Sequence, residues 1–212
     1  GSADLSISTC TFIDKYFSKD DYSGKYISYG IREHAMCGIA NGISTYNIIP
    51  LVSTFLVFST YCLASIRLSA MSNHKVIFIF THDSIAIGED GITHQPIEHL
   101  FILRSIPNLL VFRPADYNEV VGSYNYMLNH KGPSCICLTR QDITNLHMTE
   151  KDGVKYGAYI VYETNYNFSL IIISTGSELN TSLEVIKKLE ETGYSIRLVS
   201  IPCVELFEEQ NI

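Results

Sequence analysis

Short apolar runs rich in Ile, Val and Phe recur along this chain, each followed by a polar loop and then by a stretch with helical spacing. The strand-like runs are Ile48–Thr54, Lys75–Phe80, Asn108–Phe112, Pro133–Leu138, Leu170–Thr175 and Ser195–Ile201. Helical stretches are read at Arg32–Thr45, Val57–Ser72, Ile97–Ser105, Asn118–Asn129 and Glu178–Glu191. This alternation predicts an α/β fold, a doubly wound and mostly parallel sheet. The runs lack clean period-two alternation, which suits strands buried on both faces. Asn145–Phe168 breaks the rhythm: it is polar, Tyr-rich and carries Gly153 and Gly157. It reads as a linker with one short strand. The expected organisation is a first domain at 1–145, a linker at 146–168, and a truncated second α/β segment at 169–212. That last segment holds too few elements for a core of its own.

At 46% hydrophobic residues the chain has the material for a core, and disorder is not expected. Its net charge is −7, with no Lys/Arg cluster, which argues against nucleic acid as a partner. A few cations in a cleft still suffice for an anionic substrate. The cysteines at 10, 37, 62, 135, 137 and 203 have no zinc-site spacing. All but one lie in apolar stretches, as expected of buried thiols in a reducing compartment, and a cytoplasmic location follows. No signal peptide is read, and the apolar runs are too short to cross a membrane.

The densest polar stretch is His82-Asp83-Ser84-Ile85-Ala86-Ile87-Gly88-Glu89-Asp90-Gly91-Ile92-Thr93-His94, directly after an apolar strand. Open α/β sheets place ligands at the carboxyl ends of their strands. His82, Asp90 and His94 could exchange protons, bind hydroxyls, ligate a metal, or simply satisfy one another. Glu33 falls in the first turn of a helix, where the macrodipole favours a carboxylate. It reads either as a partner of that dipole, Arg32 or His34, or as a buried acid aimed at a ligand. Phe55, Phe58 and Tyr61 recur at a spacing of three and share a face, as core or as a stacking surface. Arg140 follows a strand and reads as a phosphate clamp or a surface residue. Gly176 opens a helix, as a tight turn or an anion cradle.

Several motifs together resemble the transketolase family. They are Gly30-Ile-Arg-Glu-His-Ala-Met, Ser53-Thr-Phe-Leu-Val-Phe, Thr81-His-Asp-Ser-Ile, Gly88-Glu-Asp-Gly-Ile-Thr-His-Gln-Pro, Phe112-Arg-Pro-Ala-Asp and Leu138-Thr-Arg-Gln. With the opening Gly1-Ser-Ala-Asp-Leu they are similar to that family's pyrimidine-binding domain. Ser174-Thr-Gly-Ser-Glu and Val199-Ser-Ile-Pro are similar to the start of its C-terminal domain. The family-like order is kept throughout. Tyr46-Asn47-Ile48 stands where the family usually has glycines, Ile92 replaces a common Pro, and Ser6–Cys10 departs from the usual Pro-Ser-Asn.

The resemblance implies a transferase that moves a two-carbon ketol unit between sugar phosphates in the pentose phosphate pathway, using thiamine diphosphate and a divalent metal, Mg²⁺ or Ca²⁺. It implies that Glu33 hydrogen-bonds the aminopyrimidine ring; a carboxyl in an apolar pocket can share its proton with a ring nitrogen. Phe55, Phe58 and Tyr61 match the aromatic cradle of the cofactor, Leu5 matches an apolar wedge, and Asp4 beside it joins the cofactor-binding set. His82 and His94 match catalytic groups that also touch substrate, Asp90 matches the reader of a donor hydroxyl, and Ser8, His94 and Arg140 match the sugar-phosphate contacts. No metal ligand is assigned to this chain. The family's Gly-Asp-Gly metal signature is not in the sequence, so the diphosphate-binding domain and the metal belong to a missing part of a homodimeric parent. A fragment holding half a site, inactive by itself, is the expectation. A non-catalytic α/β assembly module and a metal-dependent hydrolase built on the 82–94 loop remain the alternatives.

Overall fold

The computed structural model describes residues 1–165 and 167–210. Tyr166 of the expected linker, and Asn211 and Ile212 of the expected last segment, lie outside the described residues. In chain order the elements are α1 (Glu33–Ser44), β1 (Leu51–Phe55), α2 (Leu63–Met71), β2 (Ile77–Thr81), α3 (His99–Arg104), β3 (Leu110–Phe112), α4 (Tyr117–Asn129), β4 (Ser134–Cys137), β5 (Tyr159–Glu163), β6 (Leu170–Ser174), α5 (Glu178–Glu191), β7 (Ile196–Ser200) and α6 (Val204–Glu208). They pack as two compact units, 1–109 with 130–140, and 110–129 with 141–212.

In the first unit β1, β2 and β4 run parallel, with Leu51 opposite Ile77 and Ile77 opposite Ser134. Every residue of β2 and β4 is buried. This is the both-faces burial that the unbroken apolar runs predict. Phe78, Phe80, Ile136, Met36 and Ile66 are part of its core. Asn47, standing where the resemblance expects glycine, takes φ 60°. Asn is among the few side chains that adopt this left-handed region readily.

One expected helix is corrected. Val57–Ser72 is not continuous: Leu56–Cys62 is a 3₁₀ stretch, and the α-helix starts only at Leu63. Aromatic and β-branched residues (Val57, Phe58, Thr60, Tyr61) lose rotamer freedom in an α-helix and lower its propensity there.

In the second unit β7 is central, parallel to β6 and antiparallel to β5, so this sheet is mixed. β5 is the strand expected within the polar, Tyr-rich stretch. Ala115 and Leu146 join Val161, Leu179, Ile186, Ile196 and Leu198 in one cluster, so the last segment shares its core with residues from earlier in the chain. Polar ties reinforce this. Asp116 accepts from the Glu119 N–H at the start of α4, and from Leu146 N–H and the Thr149 hydroxyl. The fully buried Glu119 accepts from Ala115 N–H, the Tyr159 hydroxyl and the Ser200 hydroxyl. Burial raises the Glu119 pKa, and these hydrogen bonds hold it back.

Candidate active site

A cavity of about 710 Å³ opens in the first unit. Glu33 reaches it from the first turn of α1 and is only 7% exposed. Its neighbours in sequence do not pair with it. Arg32 donates to the Tyr29 carbonyl, and His34 Nδ1 faces the Ser65 hydroxyl at 3.2 Å. The Glu33 carboxylate thus faces the cavity with no hydrogen bond or ion pair among the described residues, and an unpaired carboxylate in such a place is costly.

Phe55, Phe58 and Tyr61 line the same cavity. A 3₁₀ stretch has three residues per turn, so side chains three apart eclipse. Phe58 accordingly stacks on Tyr61 at 6.0 Å and 26°, and Phe55, the last residue of β1, extends the row by stacking on Phe58 at 5.7 Å and 11°. Asp4, Leu5 and His94 complete this part of the lining. His94 meets Phe55 and Phe58 edge-on.

His82 stands behind this wall. It is buried, carries φ 62° at the end of β2, and stacks on Phe55 with centroids 3.7 Å apart. A non-glycine residue held in this backbone region is a strain typical of functional sites. Burial lowers the His82 pKa; Asp90 opposes the shift, and Arg140 and His94 add to it. Asp90 Oδ2 lies 3.9 Å from His82 Nε2 and 3.5 Å from Arg140 Nε. Arg140 also donates to Glu89 at 3.3 Å. His82, Asp90 and Arg140 therefore form one polar cluster, joined to the cavity through Phe55. Ser8 is exposed and does not line the cavity.

Arg32, His34, Ile31 and Ala3 also line the cavity and were not singled out from sequence. Three of them lie inside the quoted Gly30–Met36 motif, so the motif carried the signal and only its acid was read. Gly176, read from sequence as a tight turn or an anion cradle, takes φ 62° in the turn before α5. Arg113 donates to the Thr175 carbonyl at 2.9 Å and pairs with Glu178 at 2.7 Å, and so occupies the turn before α5. Among the described residues, no three His, Cys, Asp or Glu side chains come together as metal ligands.

A parallel sheet with a largely apolar, carboxylate-bearing cavity beside its strand ends marks an α/β domain, and the cavity lies where open sheets of this kind place their ligands. A family model described as the transketolase pyrimidine binding domain matches residues 1–145, and one described as a transketolase-like C-terminal domain matches residues 157–212. The chain belongs to the transketolase family. The transketolase of Aquifex aeolicus is 46% identical over 217 residues, covering 99% of this chain and 32% of its own length. The solved transketolase from Leishmania mexicana superposes with a TM-score of 0.96 at 42% identity, over 100% of this chain and 32% of that one. A split gene transketolase, described as an inactive β4 tetramer, superposes with a TM-score of 0.76 at 29% identity, over 95% of this chain and 63% of that one. The chain thus spans about a third of the length of the curated relatives it matches.

Proposed function

We propose that this chain supplies the half-site that grips the aminopyrimidine end of thiamine diphosphate, in a parent protein that transfers a two-carbon ketol unit from a ketose phosphate to an aldose phosphate in the pentose phosphate pathway. The observation that carries this reading is the unpartnered Glu33 carboxylate on a largely apolar cavity wall beside a row of stacked rings. A flat heteroaromatic ring with a protonatable nitrogen satisfies both features at once. The residues present fit the group. Thiamine diphosphate, when bound, supplies a nucleophilic ring carbon for breaking and making carbon–carbon bonds. Glu33 holds and shares a proton at the pyrimidine nitrogen. Phe55, Phe58 and Tyr61 stack on the ring, and Asp4 and Leu5 close the wall beside it.

His82 and His94 hold and move protons at the sugar hydroxyls, His82 from the neutral state that burial favours. Asp90 reads the configuration of a donor hydroxyl. Arg140, His94 and Ser8 take the phosphate, Arg140 by a charge-assisted fork. The diphosphate end, the divalent metal and the homodimer partner are assigned to the rest of the parent protein. Residues 1–145 act as the pyrimidine-binding domain, 146–168 as linker and 169–212 as the start of the C-terminal domain; the matched range 1–145 supports the first boundary, while the match at 157–212 begins within the linker and takes in β5. Free cysteines, buried except Cys10, support a cytoplasmic location. No helix among the described residues is long and apolar enough to cross a membrane.

Calorimetric titration with thiamine diphosphate and Mg²⁺ tests the reading. The parent protein should bind tightly, and this chain alone weakly and without ketol transfer, because the charge-assisted diphosphate contacts lie elsewhere. The inactive split gene relative supports that expectation. Submicromolar affinity in the isolated chain would overturn the half-site reading.

A further inference from the structure

Ser53 lies on β1 two residues before Phe55, so the two side chains leave the strand on the same face. Its backbone joins the opening residues. The Ala3 N–H donates to the Ser53 carbonyl at 3.3 Å, and the Ser53 N–H donates to the Gly1 carbonyl at 3.0 Å. Its hydroxyl lies 2.7 Å from Thr11 Oγ1 and 3.1 Å from Thr9 Oγ1. Those two threonine oxygens are themselves 2.9 Å apart. One serine therefore grips both feet of the loop that runs from Ala3 to Thr9. That loop carries Asp4 and Leu5, two of the cavity's lining residues.

One hydroxyl proton can be placed. Thr9 Oγ1 lies 2.8 Å from the Leu5 carbonyl, which can only accept. Thr9 thus donates to Leu5, so in any hydrogen bond with Ser53 or Thr11 its oxygen accepts; the protons of Ser53 and Thr11 are shared among the remaining hydroxyl contacts and the Gly1 carbonyl, 3.4 Å from Ser53 Oγ. The Thr9 N–H donates to the same carbonyl at 2.9 Å. The chain of contacts Ser53–Thr9–Leu5 ends on the backbone of a wall residue. Ser53 is fully buried and Thr9 only 6% exposed, so a broken link would leave a polar group stranded from water. Within the same loop Asp4 holds φ 64°, a conformation that a non-glycine residue keeps only when its surroundings over-determine it.

We propose that Ser53 and Thr9 are positioning residues, which lock the Asp4–Leu5 wall of the cavity before the pyrimidine end of thiamine diphosphate arrives. Neither side chain lines the cavity; both act through the wall. A wall fixed in advance loses no further freedom on binding, and affinity rises accordingly. The inference rests on the reading of the cavity given above.

The test uses the parent protein. Thr9→Val removes the hydroxyl and keeps the shape, Thr9→Ser keeps the hydroxyl, and Ser53→Ala removes the grip from the other side. Hydrogen exchange of the cofactor-free protein reads the amides of Leu5–Thr11, and titration with thiamine diphosphate and Mg²⁺ reads affinity. Thr9→Val and Ser53→Ala should speed exchange in that segment by about tenfold, leave β2 and α1 protected, and weaken the cofactor roughly three- to thirtyfold. Thr9→Ser should restore both. Unchanged exchange and affinity in Thr9→Val would overturn the inference. So would equal loss of protection across β2, which would make Thr9 a general stability residue, or failure of Thr9→Ser to restore. A wild-type parent protein that keeps this segment protected yet binds no thiamine diphosphate would instead overturn the reading of the cavity.

Discussion

The guanidinium of Arg113 fills the space that a side chain on Gly176 would need: a Cβ there would stand 2.7 Å from Arg113 Cζ. Gly176 also takes φ 62°. Two motifs far apart in sequence, Phe112-Arg-Pro-Ala-Asp and Ser174-Thr-Gly-Ser-Glu, are thus the two sides of one contact. Gly176→Ala should destabilise the second unit by about 1–3 kcal/mol, from the left-handed backbone and the displaced Arg113. Urea denaturation followed by circular dichroism measures it; a loss below the error of the midpoint would mean that Arg113 moves aside freely.

His82 makes a pH signature. Its pKa is lowered on folding, first by burial. The unfolded imidazole takes up a proton near pH 6.5, the folded one only at lower pH. Between those values the unfolded state binds more protons, so stability is complete above the unfolded pKa and is lost as the pH falls toward the folded one. His82→Gln should reduce the stability lost between about pH 7 and about pH 5. Phe55→Ala, which uncovers the ring, should return the His82 pKa toward its ordinary value in an NMR titration. An equal acid loss in wild type and His82→Gln would place the titrating group elsewhere.

Glu33→Gln in the parent protein should lower turnover by roughly 10²–10⁴-fold while changing thiamine diphosphate affinity far less. The amide keeps a hydrogen bond to the ring but cannot share a proton with it. Steady-state kinetics and cofactor titration on the same preparation separate the two quantities. Unaltered turnover would remove Glu33 from proton transfer.

Arg140→Ala should cost phosphorylated sugars roughly ten- to a hundredfold in kcat/KM and leave unphosphorylated acceptors nearly unchanged. Arg140 already contacts Glu89 and Asp90, so its guanidinium is held in one region of the site before substrate arrives. Comparing ribose 5-phosphate with free ribose checks the expectation. Equal losses for both would move the phosphate clamp to another residue.

The strands and α-helices of this chain were largely legible, because buried parallel strands leave unbroken apolar runs and surface helices leave a 3.6-residue rhythm. Glu178–Glu191 has the bounds read from sequence. The 3₁₀ stretch was not legible as such: a spacing of three at Phe55, Phe58 and Tyr61 fits one face of either helix, and only the stacked rings separate the two. Of the site, Glu33, the aromatic row and His94 were readable because dense chemistry sits in compact motifs. Ser53 and Thr9 were not. Their roles come from hydroxyls brought together across 44 residues of chain, and single hydroxyl residues leave no periodicity. β5 was only half visible, since an antiparallel strand with a polar, Tyr-rich surface resembles a linker.

The packing boundary and the covalent boundary of this protein do not coincide. The chain leaves the first unit after Leu109, returns at His130 and leaves again after Arg140. Scissors placed at residue 145, where the family model for the pyrimidine domain stops, would cut α4 away from its companions. Asp116 would lose Leu146 and Thr149, and Glu119 would lose Tyr159 and Ser200, leaving two formerly enclosed carboxylates facing water. Modularity in such a protein is a property of lineage and not of the folded object: a piece released at that point carries an open seam.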